Sequence, residues 1–268
     1  MNGVRMFFLG ALALVLLSCQ TVPITGRHQL SLIPAGQVLS MSAGNYRDFL
    51  AKNQVIRGTA DAEMVQRAGK RIQQAVERYF AEHNLSGQLK GYQWEFNLVD
   101  SKEVNAWCMP GGKVVVYTGI LPITKTEAGL ATVMGHEIAH AIAEHGNERM
   151  SQELLAQLGG MGLQLAMEKK PKETQDLWMT VYGVGAQLGA LLPYSRLHET
   201  EADDLGLIFM AIAGYDPAEA ISFWERMAAG KQGQAPPEFM STHPSDQTRI
   251  NNLRSKLPNA KTYYKGPQ

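Results

Sequence analysis

Hydrophobic and polar positions along the chain follow two periods. Between 60 and 84, Ala62, Val65, Ala68, Ile72, Ala75, Val76 and Phe80 recur close to every 3.6 residues, which predicts a helix with one apolar face. Between 92 and 99 the period drops to two. Tyr92, Trp94, Phe96 and Leu98 alternate with polar neighbours, predicting a half-buried strand. The run Asn105-Ala106-Trp107-Cys108-Met109-Pro110-Gly111-Gly112 reads as a turn, and 113–118 as a second strand, either an exposed edge that holds extended peptide or a core strand. Helical patterning resumes at 126–145, with Thr126 placed to cap it, and continues at 196–213, 216–229 and 245–257. A further helix is expected at 35–53, and a loop at 231–237.

Two segments, 151–170 and 175–192, are apolar and rich in Gly, Ala, Leu and Met. Gln157, Gln164, Thr180 and Gln187 interrupt them, so neither offers the 18 or so apolar positions of a membrane span. They are expected as buried core helices, with Pro193 breaking the second. Helices dominate and the sheet is small, so the predicted class is α+β, mostly helical.

Residues 1–18 carry one charge, Arg5, followed by the apolar run 6–17, the pattern of a removable leader. Leu16-Leu17-Ser18-Cys19 resembles a lipobox, which implies cleavage before Cys19 and lipidation of that cysteine. Gln20, not Asp, follows it, so an outer-membrane anchor facing the periplasm is expected. Residues 19–34 are expected as a polar tether and 35–268 as the working domain. The remaining 250 or so residues amount to roughly one large domain or two small ones. Lys and Arg together equal Asp and Glu together, at 25 each, so no basic excess points to nucleic acid. Two cysteines make no disulfide framework.

Chemistry concentrates at His136-Glu137-Ile138-Ala139-His140. The i, i+4 spacing puts both imidazoles on one helix face, where they can share a zinc ion, with Glu137 beside them to take a proton from water. Leu130, Val133, Met134, Ile138, Ala141 and Ile142 make this helix apolar nearly all round, and two buried histidines need partners. A catalytic zinc needs a third protein ligand. The metzincin extension is absent, since Ala143 and Gly146 stand where Gly and His are required. Glu199 and Asp203, again i, i+4, offer a metal carboxylate and a second carboxylate that orients a ligand histidine. Glu201 lies about 200° round the helix from Glu199 and points away.

The set His-Glu-x-x-His with Ser195-Arg196-x-x-Glu199-x-Glu201-Ala202-Asp203 resembles the family 48 zinc metallopeptidases, the group of HtpX, the prenyl-protein CAAX endopeptidases and the Oma-like proteins. Thr25-Gly26-Arg27-His28-Gln29-Leu30, Asn105-Ala106 with Pro110-Gly111-Gly112, and Ser241-Thr242-His243-Pro244 resemble its periplasmic lipoprotein and Oma-like branch. The resemblance implies a zincin-like domain binding one Zn2+ through His136, His140 and Glu199. Glu137 is the implied general base, and Asp203 the paired acid, sometimes assigned as a proton donor. In part of the branch the histidine at position 243 approaches the zinc as a fourth ligand, which would close the site. The alternative is a turn histidine.

The reading is then a lipid-anchored periplasmic zinc endopeptidase that removes misfolded or misassembled envelope proteins. Its partners would be protein substrates, the membrane through Cys19 and outer-membrane assembly machinery, with no nucleic acid. Two rivals remain. One is a chaperone or assembly factor whose zinc site is latched by His243. The other is a deformylase-like hydrolase using Cys108, His136 and His140. Arg249 is expected on a helix surface, the alternative being a partner for the oxyanion or carbonyl, His145 as structural, and His28, His83 and His198 at the surface or behind the metal ligands.

Overall fold

The computed structural model describes residues 19–22, 24–187, 192–229, 239–240, 243 and 247–267. The expected leader at 1–18 and the loop at 231–237 lie outside the described residues. The fold is α+β and mostly helical, as the patterning predicts. Two compact units divide the chain: residues 1–35 with 144–198, and residues 36–143 with 199–268.

The larger unit holds helices α1 (Ala35–Lys52), α2 (Ala60–Glu82) and α3 (Glu127–Ile142). After them come most of α6 (Leu192–Ile212), then α7 (Glu219–Ala229) and α8 (Gln247–Lys261). Its sheet has the order β3 (Val55–Ile56), β4 (Glu95–Val99), β6 (Lys113–Tyr117), β5 (Ala106–Met109). β4 and β6 are parallel, and the outer pairs antiparallel. All seven apolar positions read from 60–84 are buried on α2. β6 is an interior strand flanked on both sides, so it is the core strand of the two readings and not an edge. One edge is β3 and the other is β5, in a segment read as a turn. Its Pro-Gly-Gly does turn, with Gly111 at φ 87° and Gly112 at φ 79°, but the four residues before it pair with β6, Cys108 opposite Val114.

α3 and α6 approach closely where Gly135 faces Gly206. A Cβ on Gly206 would lie 3.0 Å from His136 N, and one on Gly135 3.2 Å from Gly206 O. Gly206→Ala is therefore expected to cost about 1–3 kcal/mol by overpacking, read as a lower denaturant midpoint. Zinc retention should fall with it, because the two helices carry different site residues. Gly162→Ala meets nothing within 4 Å and should leave the midpoint unchanged or raise it. Equal losses in both variants would refute the close-approach account.

The smaller unit contains the hairpin β1 (Cys19–Thr21) and β2 (His28–Leu30) and the helices α4 (His145–Met167) and α5 (Lys172–Ala186). The stretch expected as a polar tether is thus partly ordered. Val22 is fully buried, and Arg27 forms an ion pair with Glu148 at 2.8 Å. α4 and α5 pack through Tyr182, whose hydroxyl donates to Ala156 O at 2.8 Å. They are not the buried core helices expected from their composition. Leu158, Met161 and Leu165 on α4, and Leu177, Val181 and Val184 on α5, are more than half exposed. An apolar run records that burial is favourable, not that a partner surface exists. No helix among the described residues is long and apolar enough to cross a membrane.

Candidate metal centre

α3 begins where the side chain of Thr126 accepts from Gly129 N at 3.0 Å, and it is buried on nearly every face. Its apolar run holds the helix rigidly inside the larger unit. His136 and His140 project one turn apart, with Nε2 atoms 3.1 Å from each other. Glu144 ends the run in the left-handed region, at φ 55°.

α6 brings its carboxylates to the same place. Glu199 Oε1 lies 3.3 Å from His140 Nε2, and Oε2 lies 3.4 Å from His136 Nε2. One turn on, Asp203 Oδ1 lies 3.0 Å from His136 Nδ1, the ring nitrogen turned away from the other histidine. Glu201 is buried but contributes no donor to this group. His243 completes it. Its Nδ1 lies 2.8 and 2.9 Å from the Glu199 oxygens and 3.1 Å from His136 Nε2. Ser241, Thr242 and Pro244, the rest of that motif, lie outside the described residues. Backbone bonds steady the histidine: His243 N donates to Phe239 O at 2.8 Å, and Phe239 N donates to Val104 O at 3.1 Å.

Arg249 is not the helix-surface residue expected. It is buried on α8, its guanidinium 3.5 Å above the ring of Trp224. It donates to Glu199 Oε2 at 3.0 Å and to Asp203 Oδ1 at 2.6 Å. The signal was its place beside Ile250 and one turn before Leu253, on the apolar side of an otherwise polar helix. In the smaller unit His198 is also buried, 2.8 Å from Glu148, and His145 stacks on it with ring centroids 4.2 Å apart. His28 is exposed, and His83 bonds its own helix at Tyr79 O.

Charge behaves accordingly. Burial alone would raise the Glu199 carboxyl, but bonds from His136, His140 and His243 hold it well below the usual carboxylate range. Burial raises Glu137, and nearby His243 and His136 do not fully offset it. Glu137 Oε1 is buried and accepts no hydrogen bond, with His243 Nε2 at 3.5 Å. Without metal, burial and Arg249 would lower His136, yet its bonds to Asp203 and Glu199 raise it to about 9.

The donor set fits zinc. Donor atoms of His136, His140, Glu199 and His243 all lie within 4.8 Å of one another. Ligands about 2.0–2.1 Å from a tetrahedral zinc sit roughly 3.4 Å apart, close to these spacings. Three carboxylates, Glu137, Glu199 and Asp203, against one guanidinium leave two negative charges for a dication to neutralise. Cys108 is not in the group. The four convergent donors among the described residues are His136, His140, Glu199 and His243, so the geometry gives Cys108 no part in the set.

These features make a candidate metallohydrolase centre, with donors from the helices α3 and α6 and from His243. The chain belongs to peptidase family M48, whose sequence pattern matches residues 66–257. Members of that family use zinc, in keeping with the donor set. Over 189 residues it is 38% identical to the mitochondrial metalloendopeptidase OMA1 of Saccharomyces cerevisiae, covering 66% of this chain and 50% of that protein. It is 31% identical to the mitochondrial metalloendopeptidase OMA1 of Homo sapiens, covering 89% and 46%. It is 25% identical to the beta-barrel assembly-enhancing protease of Escherichia coli, covering 89% and 47%. The chain thus spans about half the length of these curated relatives. The expected periplasmic location, with an outer-membrane anchor at Cys19, is corrected by these matches, since the more similar relatives are mitochondrial. A short leader and a four-residue lipobox are weak signals beside matches over most of the chain.

Proposed function

We propose that this chain is a zinc-dependent endopeptidase acting on misfolded or misassembled proteins. The observation that carries the reading is the buried Glu137 carboxylate, one oxygen unpartnered, beside the convergent His136, His140 and Glu199 donors. These three residues would hold the metal. When bound, zinc polarises the scissile carbonyl and acidifies water. Glu137 takes the proton from the attacking water and delivers it to the departing amine as the C–N bond breaks. Asp203 accepts from His136 Nδ1–H and so turns Nε2 toward the metal. β5, the sheet edge packed against α3, suits an extended peptide bound through its backbone, which tolerates varied sequences. Comparing casein cleavage by wild type and Glu137→Gln at matched zinc loading tests the reading. Equal rates would refute it.

A second reading, an assembly factor with a latched zinc site, is favoured by the nearness of His243 to Glu199 and His136. Four protein donors leave no open position for water. His243→Ala is then expected to keep zinc and raise basal cleavage. If His243 instead stabilises the oxyanion, the same variant loses about 100-fold or more in rate. The sign of the change decides between them.

A further inference from the structure

The distances from histidine nitrogens do not distinguish the two Glu199 oxygens. One lies 3.3 Å from His140 and the other 3.4 Å from His136, and both lie within 2.9 Å of His243 Nδ1. A carboxylate placed so evenly is free to meet a metal through both oxygens. Arg249 breaks the symmetry, since among the described residues its bond to Glu199 goes to Oε2. Its other arm holds Asp203 Oδ1, the atom that also faces His136 Nδ1. The guanidinium carbon lies 3.5 Å from the ring centre of Trp224, itself buried, which limits how the fork can move.

We propose that Arg249 is a positioning residue that makes Glu199 a one-oxygen ligand, by occupying Oε2 through its bridge to Asp203. The protein then supplies three donors besides His243, and the fourth position can be exchanged between His243 and water. Without the bridge, both Glu199 oxygens would bind and the exchangeable position would be crowded. The inference rests on the reading of His136, His140 and Glu199 as the ligands.

Cobalt(II) in place of zinc tests it, because the intensity of its visible absorption falls as coordination rises above four. In the full chain, wild type should take one cobalt with an intense four-coordinate band. Arg249→Ala should still take one cobalt, relieved of a neighbouring positive charge, but with a weaker, shifted band. Arg249→Lys keeps the charge yet offers a point donor without the planar fork, and should also lose the band. With zinc, kcat should fall about 10–100-fold in both while KM changes little. Wild-type bands in both variants would overturn the proposal. So would a rise in KM at unchanged kcat, which would make Arg249 a substrate contact. If Arg249→Ala does not fold, the Lys variant decides by the same bands. A wild type that takes no cobalt or zinc would instead refute the ligand reading, and the proposal with it.

Discussion

Glu137→Gln is expected to abolish peptide hydrolysis while leaving zinc bound and the fold intact. The amide is close in shape to the carboxylate but cannot take a proton from water. Loss of general acid–base catalysis costs about 100- to 10,000-fold. Glu137 is not one of the four convergent donors, so metal content should not change. The residue is buried with one oxygen unpartnered, so removing its charge also removes a desolvation cost, and the thermal midpoint should hold or rise. A general base must be ionised, so activity should decline on the acid side as the Glu137 carboxylate takes up a proton. Casein cleavage, zinc per chain and thermal unfolding, measured on one preparation, check all three statements. Cleavage at wild-type rate with zinc present would remove Glu137 from the chemistry.

Glu199→Ala is expected to strip the metal. The substitution removes one of three proposed ligands and takes the carboxylate away from His140, His243 and Arg249 together. Removing one member of a buried charged network typically costs about 3–5 kcal/mol, so stability should fall along with zinc retention after dialysis. Glu201→Ala, two residues on, should keep its zinc. Zinc retained in Glu199→Ala but lost in Glu201→Ala would reverse the assignment. Metal uptake by wild type should also depend on pH. In the metal-free chain His136 is raised to about 9, and zinc binds only its neutral form. Apparent affinity should therefore strengthen as pH rises toward about 9, with proton release detectable at neutral pH.

Much of this site was legible because its parts are local. His136 and His140 share a face by virtue of the helical period, as do Glu199 and Asp203, and neither relation needs the rest of the chain. The buried face of α2 was readable for the same reason. β5 was not. Its four residues, Ala106 to Met109, show no polar–apolar alternation, and they are a strand because Val114 and its neighbours supply the ladder. The helices α4 and α5 failed in the opposite direction. Their composition suits a core, yet whether a partner surface covers them is not a local property.

The chain's own sequence determined the two-histidine face of α3, the acidic face of α6 and the family to which both belong. Only the tertiary structure decided that these faces meet, through a Gly135–Gly206 approach that a single methyl group would disturb. It alone decided that His243 lies against Glu199, and that Arg249 is buried between two carboxylates and an indole ring. The physical reason is range. Helical periodicity and capping act over three or four residues and are written in the order of side chains. The Arg249–Glu199 contact joins residues 50 apart in sequence, and such contacts form only when packed elements bring distant positions within a few ångströms.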